Sequence, residues 1–229
     1  MRRLLAIGAL PLLLACQPSP ILHKSDAAPP PRPAAACIGA GRNDCIVYQS
    51  GPVTDHAVDW DRGFFYQLQG TGSPGSGENA YCNGGYCAVA ILKRDESGRL
   101  NLVAHVESTD AQWYETPEIV PSPAGPLIVA RSNSLGTGPY NDDVVLREDE
   151  TGKMRRIDVN TWKIEARRLA PDANSYFDWS TDYGAFVGQT GLASADPNES
   201  GRTSVGSVRV FLILKGDALE IESPMARFP

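Results

Sequence analysis

Histidine is scarce in this 229-residue chain, so acid–base chemistry has few places to reside. There are three histidines. His23 falls in a Pro-rich stretch, and His56 and His105 fall in the body of the chain. His56 sits in Thr54-Asp55-His56-Ala57-Val58-Asp59-Trp60-Asp61. Neighbouring carboxylates of this kind could orient an imidazole as a general base. No GxSxG elbow is present to expose a serine, and no HExxH or EF-hand loop to hold a metal. Gly70-Thr71-Gly72-Ser73-Pro74-Gly75 matches GxGxxG in letters. A dinucleotide site needs a helix directly after that motif, and Pro74 denies it. With 27 Asp and Glu, no two stand out as the spaced carboxylates a glycosidase requires. We assign no catalytic residue, no metal ligand and no cofactor. A hydrolase reading would rest on His56.

Four cysteines, Cys37, Cys45, Cys82 and Cys87, are spaced CxxxxxxxC and CxxxxC. Neither spacing is the CxxC of a redox enzyme, and no histidine lies close enough to complete a zinc site. An even count in an exported chain points to disulfides, and local pairing is expected: Cys37 with Cys45, and Cys82 with Cys87. Asn83-Gly84-Gly85 between the second two is a turn-forming sequence that would let their side chains meet.

The evidence for export lies at the start. Arg2 and Arg3 precede an apolar run from Leu4 to Ala15, which Pro11 interrupts. That run is too short to span a bilayer and reads as a signal peptide. Leu13-Leu14-Ala15-Cys16 resembles the lipobox of bacterial lipoproteins. The resemblance covers only the first 17 residues. It implies cleavage before Cys16, a diacylglycerol on its sulfur and an acyl chain (palmitate, for example) on its new amine. Gln17, rather than Asp, at the next position implies the outer membrane of a Gram-negative cell. The organisation expected is a signal peptide over 1–15, a lipidated cysteine and tether over 16–36, and a folded domain over 37–229. The tether is Pro-rich, and an extended polyproline chain at about 3.1 Å per residue would reach on the order of 60 Å.

The elements of the body read as β. Leu92 to Leu100, LKRDESGRL, aligns with Leu146 to Met154, LREDETGKM, at an offset of 54 residues. A third unit runs through Val208 to Leu214, turns at Lys215-Gly216-Asp217 and returns through Leu219 to Ile221. Each unit is strand, polar Gly-containing turn, strand, the mark of a hairpin. Ile119 to Arg131 supplies a further strand after a Pro/Gly turn, and its SPAGPLIVAR segment looks like an inner strand of secreted β-propellers. One helix is expected from Asn160 to Leu169, capped by Asn160 and stopped before Pro171, with Trp162, Ala166 and Leu169 on its apolar stripe. The fold class expected is mainly β: an antiparallel meander of hairpins forming a sandwich or small barrel with one short helix, or alternatively a small propeller-like fold.

A formal charge of −6 opposes binding to phosphate backbones, so nucleic acid is not an expected partner. The expected partners are the membrane, through the lipid anchor, and an envelope protein or glycan. Rings suited to such contact lie in the long connections: Trp113 and Tyr114 in 105–118, and Tyr140 in 132–143. Short charged turns at 95–98 and 149–152 would occupy the other end of the sheets. The sequence favours binding or envelope support over catalysis. The alternatives are an inhibitor or chaperone of a secreted enzyme, or the hydrolase reading above.

Overall fold

A computed structural model describes residues 36–55, 63–71, 82, 86–108, 113–133, 143–169, 175–193 and 204–228. Cys16, the tether, His56 and Tyr140 lie outside the described residues. The described chain is mainly β with one short helix, and its strands form three successive meanders.

The first sheet takes β1 (Ile46–Pro52), β3 (Phe64–Gly70), β4 (Cys87–Arg94) and β5 (Leu100–Ser108), in that order and all antiparallel. The second takes β7 (Glu118–Val120), β8 (Leu127–Ala130), β10 (Val144–Glu148) and β11 (Met154–Arg156). Its far edge is β2 (Thr54–Asp55), paired parallel to β7. The third takes β12 (Ser175–Asp182), β13 (Val187–Ala193), β14 (Ser204–Lys215) and β15 (Ala218–Phe228). A two-residue pair, β6 (Trp113–Tyr114) with β9 (Ser132–Asn133), lies apart from these sheets. The parallel β2–β7 contact departs from the purely antiparallel expectation. The chain leaves β1 through Val53 and crosses to the edge of the second sheet, tying the two together.

Two cores separate the layers. Phe64, Tyr66, Leu68, Val89, Ile91 and Val106 of the first sheet meet Ile119, Ile128, Ala130, Val144 and Leu146 of the second. The opposite face of the second sheet, carrying Leu127, Val129 and Val145, meets Leu192, Val208, Val210 and Leu212 of the third. The second sheet is therefore buried on both faces, which explains why β8 and the start of β10 are unbroken apolar runs. Among the described residues no sheet closes into a barrel, and the layers form a stacked sandwich. Within each layer the strand order is sequential, as it is in a propeller blade.

The three expected hairpins, β4–β5, β10–β11 and β14–β15, are each the last hairpin of a meander. Helix α1 (Thr161–Leu169) packs against β14 and β15. Asp158 starts it, accepting from the Asn160 amide at 2.7 Å and the Thr161 hydroxyl at 2.8 Å. Trp162 and Ala166 enter the second core, and a Cβ at Gly188 would come within 2.7 Å of the Trp162 ring. Leu169, the last helical residue, is exposed, contrary to its expected place in the core. Lys163 is buried instead, with its ammonium donating to the Asn160 side-chain oxygen at 2.8 Å.

Candidate functional site

Two ends of the molecule offer contrasting surfaces. The strands of each hairpin run from a short turn at one end to a long connection at the other. A Lys93–Glu148 ion pair sets the turn ends of the first and second sheets side by side. The 95–98 and 149–152 turns therefore share an end, as the sequence led us to expect.

At the other end the two long connections meet. Trp113 pairs with Asn133 and Tyr114 with Ser132, and the Glu115 amide donates to the Arg131 carbonyl at 2.9 Å. Asp143, only 4 % exposed, closes the base of the connection that follows β9. It accepts from the Ser132 amide at 2.8 Å, the Ser132 hydroxyl at 3.1 Å and the Tyr183 phenol at 2.6 Å. Burial, then the Asp143 charge, pushes the Tyr183 phenol well above its ordinary value, so it stays a donor. Arg131 stacks 5.4 Å over the Tyr183 ring and donates to the Thr181 carbonyl at 3.3 Å. This buried polar knot fixes the foot of the connection that carries Tyr140.

The three expected contact rings do not share one surface. Trp113 is half-buried, whereas Tyr114 is 2 % exposed and belongs to the first core. Successive side chains of a strand point to opposite faces, so adjacent Trp113 and Tyr114 could not both turn outward. The Tyr114 amide is held by the Tyr48 hydroxyl at 3.1 Å. Tyr140 lies outside the described residues, so of the two rings described only Trp113 keeps a partly exposed surface.

At the turn end each short turn is built around an aspartate, and a cleft lies beside the second. Asp95 Oδ1 accepts from the Ser97 amide and hydroxyl and the Arg99 amide, at 2.9, 2.6 and 3.0 Å. Asp149 Oδ1 accepts from the Thr151 amide and hydroxyl and the Lys153 amide at the same three distances. The Ser97 hydroxyl, followed by the Asn101 amide, holds the Asp95 carboxyl down to about 2. The Thr151 hydroxyl, then Arg155, holds Asp149 lower still. These carboxylates are committed to their own turns and are poor proton carriers at neutral pH. Beside the second turn lies a cleft of about 380 Å³ with Phe64, Ile119 and Leu146 in its wall and Arg147, Glu148 and Glu150 at its lip. An apolar groove of about 480 Å³ lies on the other side of Ala124, between Phe186 and the exposed Phe211.

A third feature had no clear sequence signal. Residues 36–45 form a strap across the outer face of the first sheet, stapled by the Cys37–Cys45 disulfide, whose Cα atoms are 6.2 Å apart. Two glutamines buried on that face grip it. Gln67 Oε1 accepts from the Ile38 amide at 3.0 Å, and its Nε2 donates to the Ala36 carbonyl at 3.3 Å. Gln69 Nε2 donates to the Ile38 carbonyl and to Gln67 Oε1, both at 3.0 Å. Gln69 Oε1 accepts from the Tyr86 phenol at 3.3 Å and faces His105 Nε2 at 3.2 Å. The acceptor there is an amide oxygen, so His105 Nε2 carries the proton and Nδ1 faces Glu107 at 3.8 Å. Burial lowers the His105 pKa, partly opposed by Glu107. This imidazole is a hydrogen-bonded part of the strap. In the sequence, Tyr66-Gln67-Leu68-Gln69 alternates as a strand with one wet face would, and the strap is what dries that face.

The second disulfide joins Cys82 to Cys87, with Cα atoms 5.1 Å apart, so both local pairings hold. Among the described residues no group of three or more His, Cys, Asp or Glu is placed to hold a metal ion. No protein-family model matches the chain, and no curated protein matches it.

Proposed function

We propose that this chain is a lipid-anchored protein of a Gram-negative outer membrane. Its β body binds an envelope protein or glycan, or supports the envelope, without chemistry of its own. The observation that carries the reading is the strap. A body held to a membrane by a tether at its N-terminal side experiences pull where the tether enters. That entry point is secured twice, by a disulfide and by three hydrogen bonds between strap backbone and glutamine side chains. The lipobox at Leu13 to Cys16 and the Pro-rich tether after it supply the rest of the anchor. Partner contact is assigned to the end where the long connections pair, with Trp113 beside the foot fixed by Asp143. Rigidly founded connections of this kind lose little entropy on binding.

The test is fractionation of the Cys16→Ser chain. The wild type should partition with outer membranes, and Cys16→Ser should lose its acyl chains and appear in the soluble fraction once the signal is removed. Tight membrane association of a Cys16→Ser chain with its signal removed would contradict the anchor.

A further inference from the structure

The outer face of the first sheet is not fully covered by the strap. Three of the exposed large apolar side chains lie there: Ile38 (37 % exposed), Leu100 (40 %) and Leu102 (42 %). Leu100 and Leu102 are two apart on edge strand β5. Gly39, next to Ile38, lies against Leu102 so closely that a Cβ would come within 2.9 Å of its methyl. Gly39 adopts φ +84°, which lets the strap bend onto that leucine. Arg94, paired across the strands with Leu100, lays its guanidinium 4.7 Å over the Phe65 ring, extending the apolar surface with its stem. Contiguous exposed apolar surface on a soluble body marks an interaction site.

We infer that this patch rests on the lipid surface to which the tether leads, so that the body lies against the bilayer by its first sheet. The occupant follows from where the chain outside the described region joins the body. Ala36 is the first described residue and sits on this same face, gripped by Gln67. Cys16 lies twenty positions before it. The tether, with a reach on the order of 60 Å, delivers this face of the body to the membrane, and a second weak contact added to a lipid anchor fixes orientation. Charges of both signs surround the patch: Arg42 is paired with Asp44 at 2.7 Å and Arg99 with Asp95 at 3.5 Å, while Glu107 is exposed. The attraction is therefore apolar, and high salt should leave it largely unchanged.

The inference rests on the lipid-anchor reading, and one experiment separates the two. The full lipidated chain is reconstituted in vesicles of phosphatidylethanolamine and phosphatidylglycerol, with and without brominated acyl chains. Leu102→Trp places an indole in the patch, and Glu150→Trp places one away from it, on the 149–152 turn of the second sheet. The added emission of Leu102→Trp should be quenched at least twofold more than that of Glu150→Trp, equally at low and high salt. Leu100→Trp serves as a second reporter in the patch if Leu102→Trp misfolds. Equal quenching at both positions in a chain that pellets with vesicles overturns the inference and leaves the anchor standing. A wild-type chain that does not pellet overturns both.

Discussion

The hairpins at 92–100 and 146–154 are close to copies in sequence and in turn geometry, yet their surroundings differ. In both, an aspartate accepts from the residues two and four positions on, and the residue six positions on, Asn101 or Arg155, donates to its second oxygen. In both, the glycine adopts a left-handed φ, +83° at Gly98 and +79° at Gly152. The first hairpin ends the outer sheet, beside the strap and its apolar patch. The second lies in the middle layer, where Leu146 is covered by the first core and Arg147 and Glu148 border a cleft. A turn is a local agreement between backbone and side chain. Burial and contact are decided by which sheet covers which face.

Substitutions at equivalent positions can break or sharpen that distinction. Leu146→Ala should destabilise by about 4 kcal/mol, because the site is enclosed between two sheets. Its counterpart Leu92→Ala should cost about 2 kcal/mol, since the outer layer beside Leu102 can collapse more freely. Urea unfolding of the two variants would measure the gap, and equal losses would erase the distinction between layers. Gly98→Ala and Gly152→Ala should each cost roughly 1–2 kcal/mol, by forcing an L side chain into the left-handed region. Here the twins should agree, because neither added methyl meets a close neighbour.

The turn aspartates also respond to pH. Each has a folded pKa below its unfolded value, so its contribution is full above about pH 4 and fades as pH falls through the folded value. The stability difference between wild type and Asp95→Asn should shrink between about pH 4 and pH 2. The difference for Asp149→Asn should persist to lower pH, which denaturant titrations across that range would detect. The smallest effect expected is that of Lys93→Met. It removes a half-exposed ion pair with Glu148 and should cost under about 1 kcal/mol.

The sequence makes local structure legible and tertiary assignment much less so. The turn residues, the helix start after Asn160 and both cysteine pairings were readable because neighbours in the chain determine them, although Asp158 rather than Asn160 supplies the side chain that holds the start. The strap over Gln67 and Gln69 was not legible, because a period-2 pattern reports a polar face without saying whether another segment covers it. The short β2 strand follows no pattern of its own and is held by β7 from outside. Tyr114 looked like a loop aromatic because two-residue β6 carries no periodicity, and only the pairing with β9 decides which ring turns inward.

The most direct test of the anchored-body reading is the mass of the N-terminal peptide of the protein extracted from membranes. The expected peptide begins at Cys16 and carries a diacylglycerol on its sulfur and an acyl chain on its amine. A peptide that begins at Met1, or one that contains Cys16 without lipid, would contradict it.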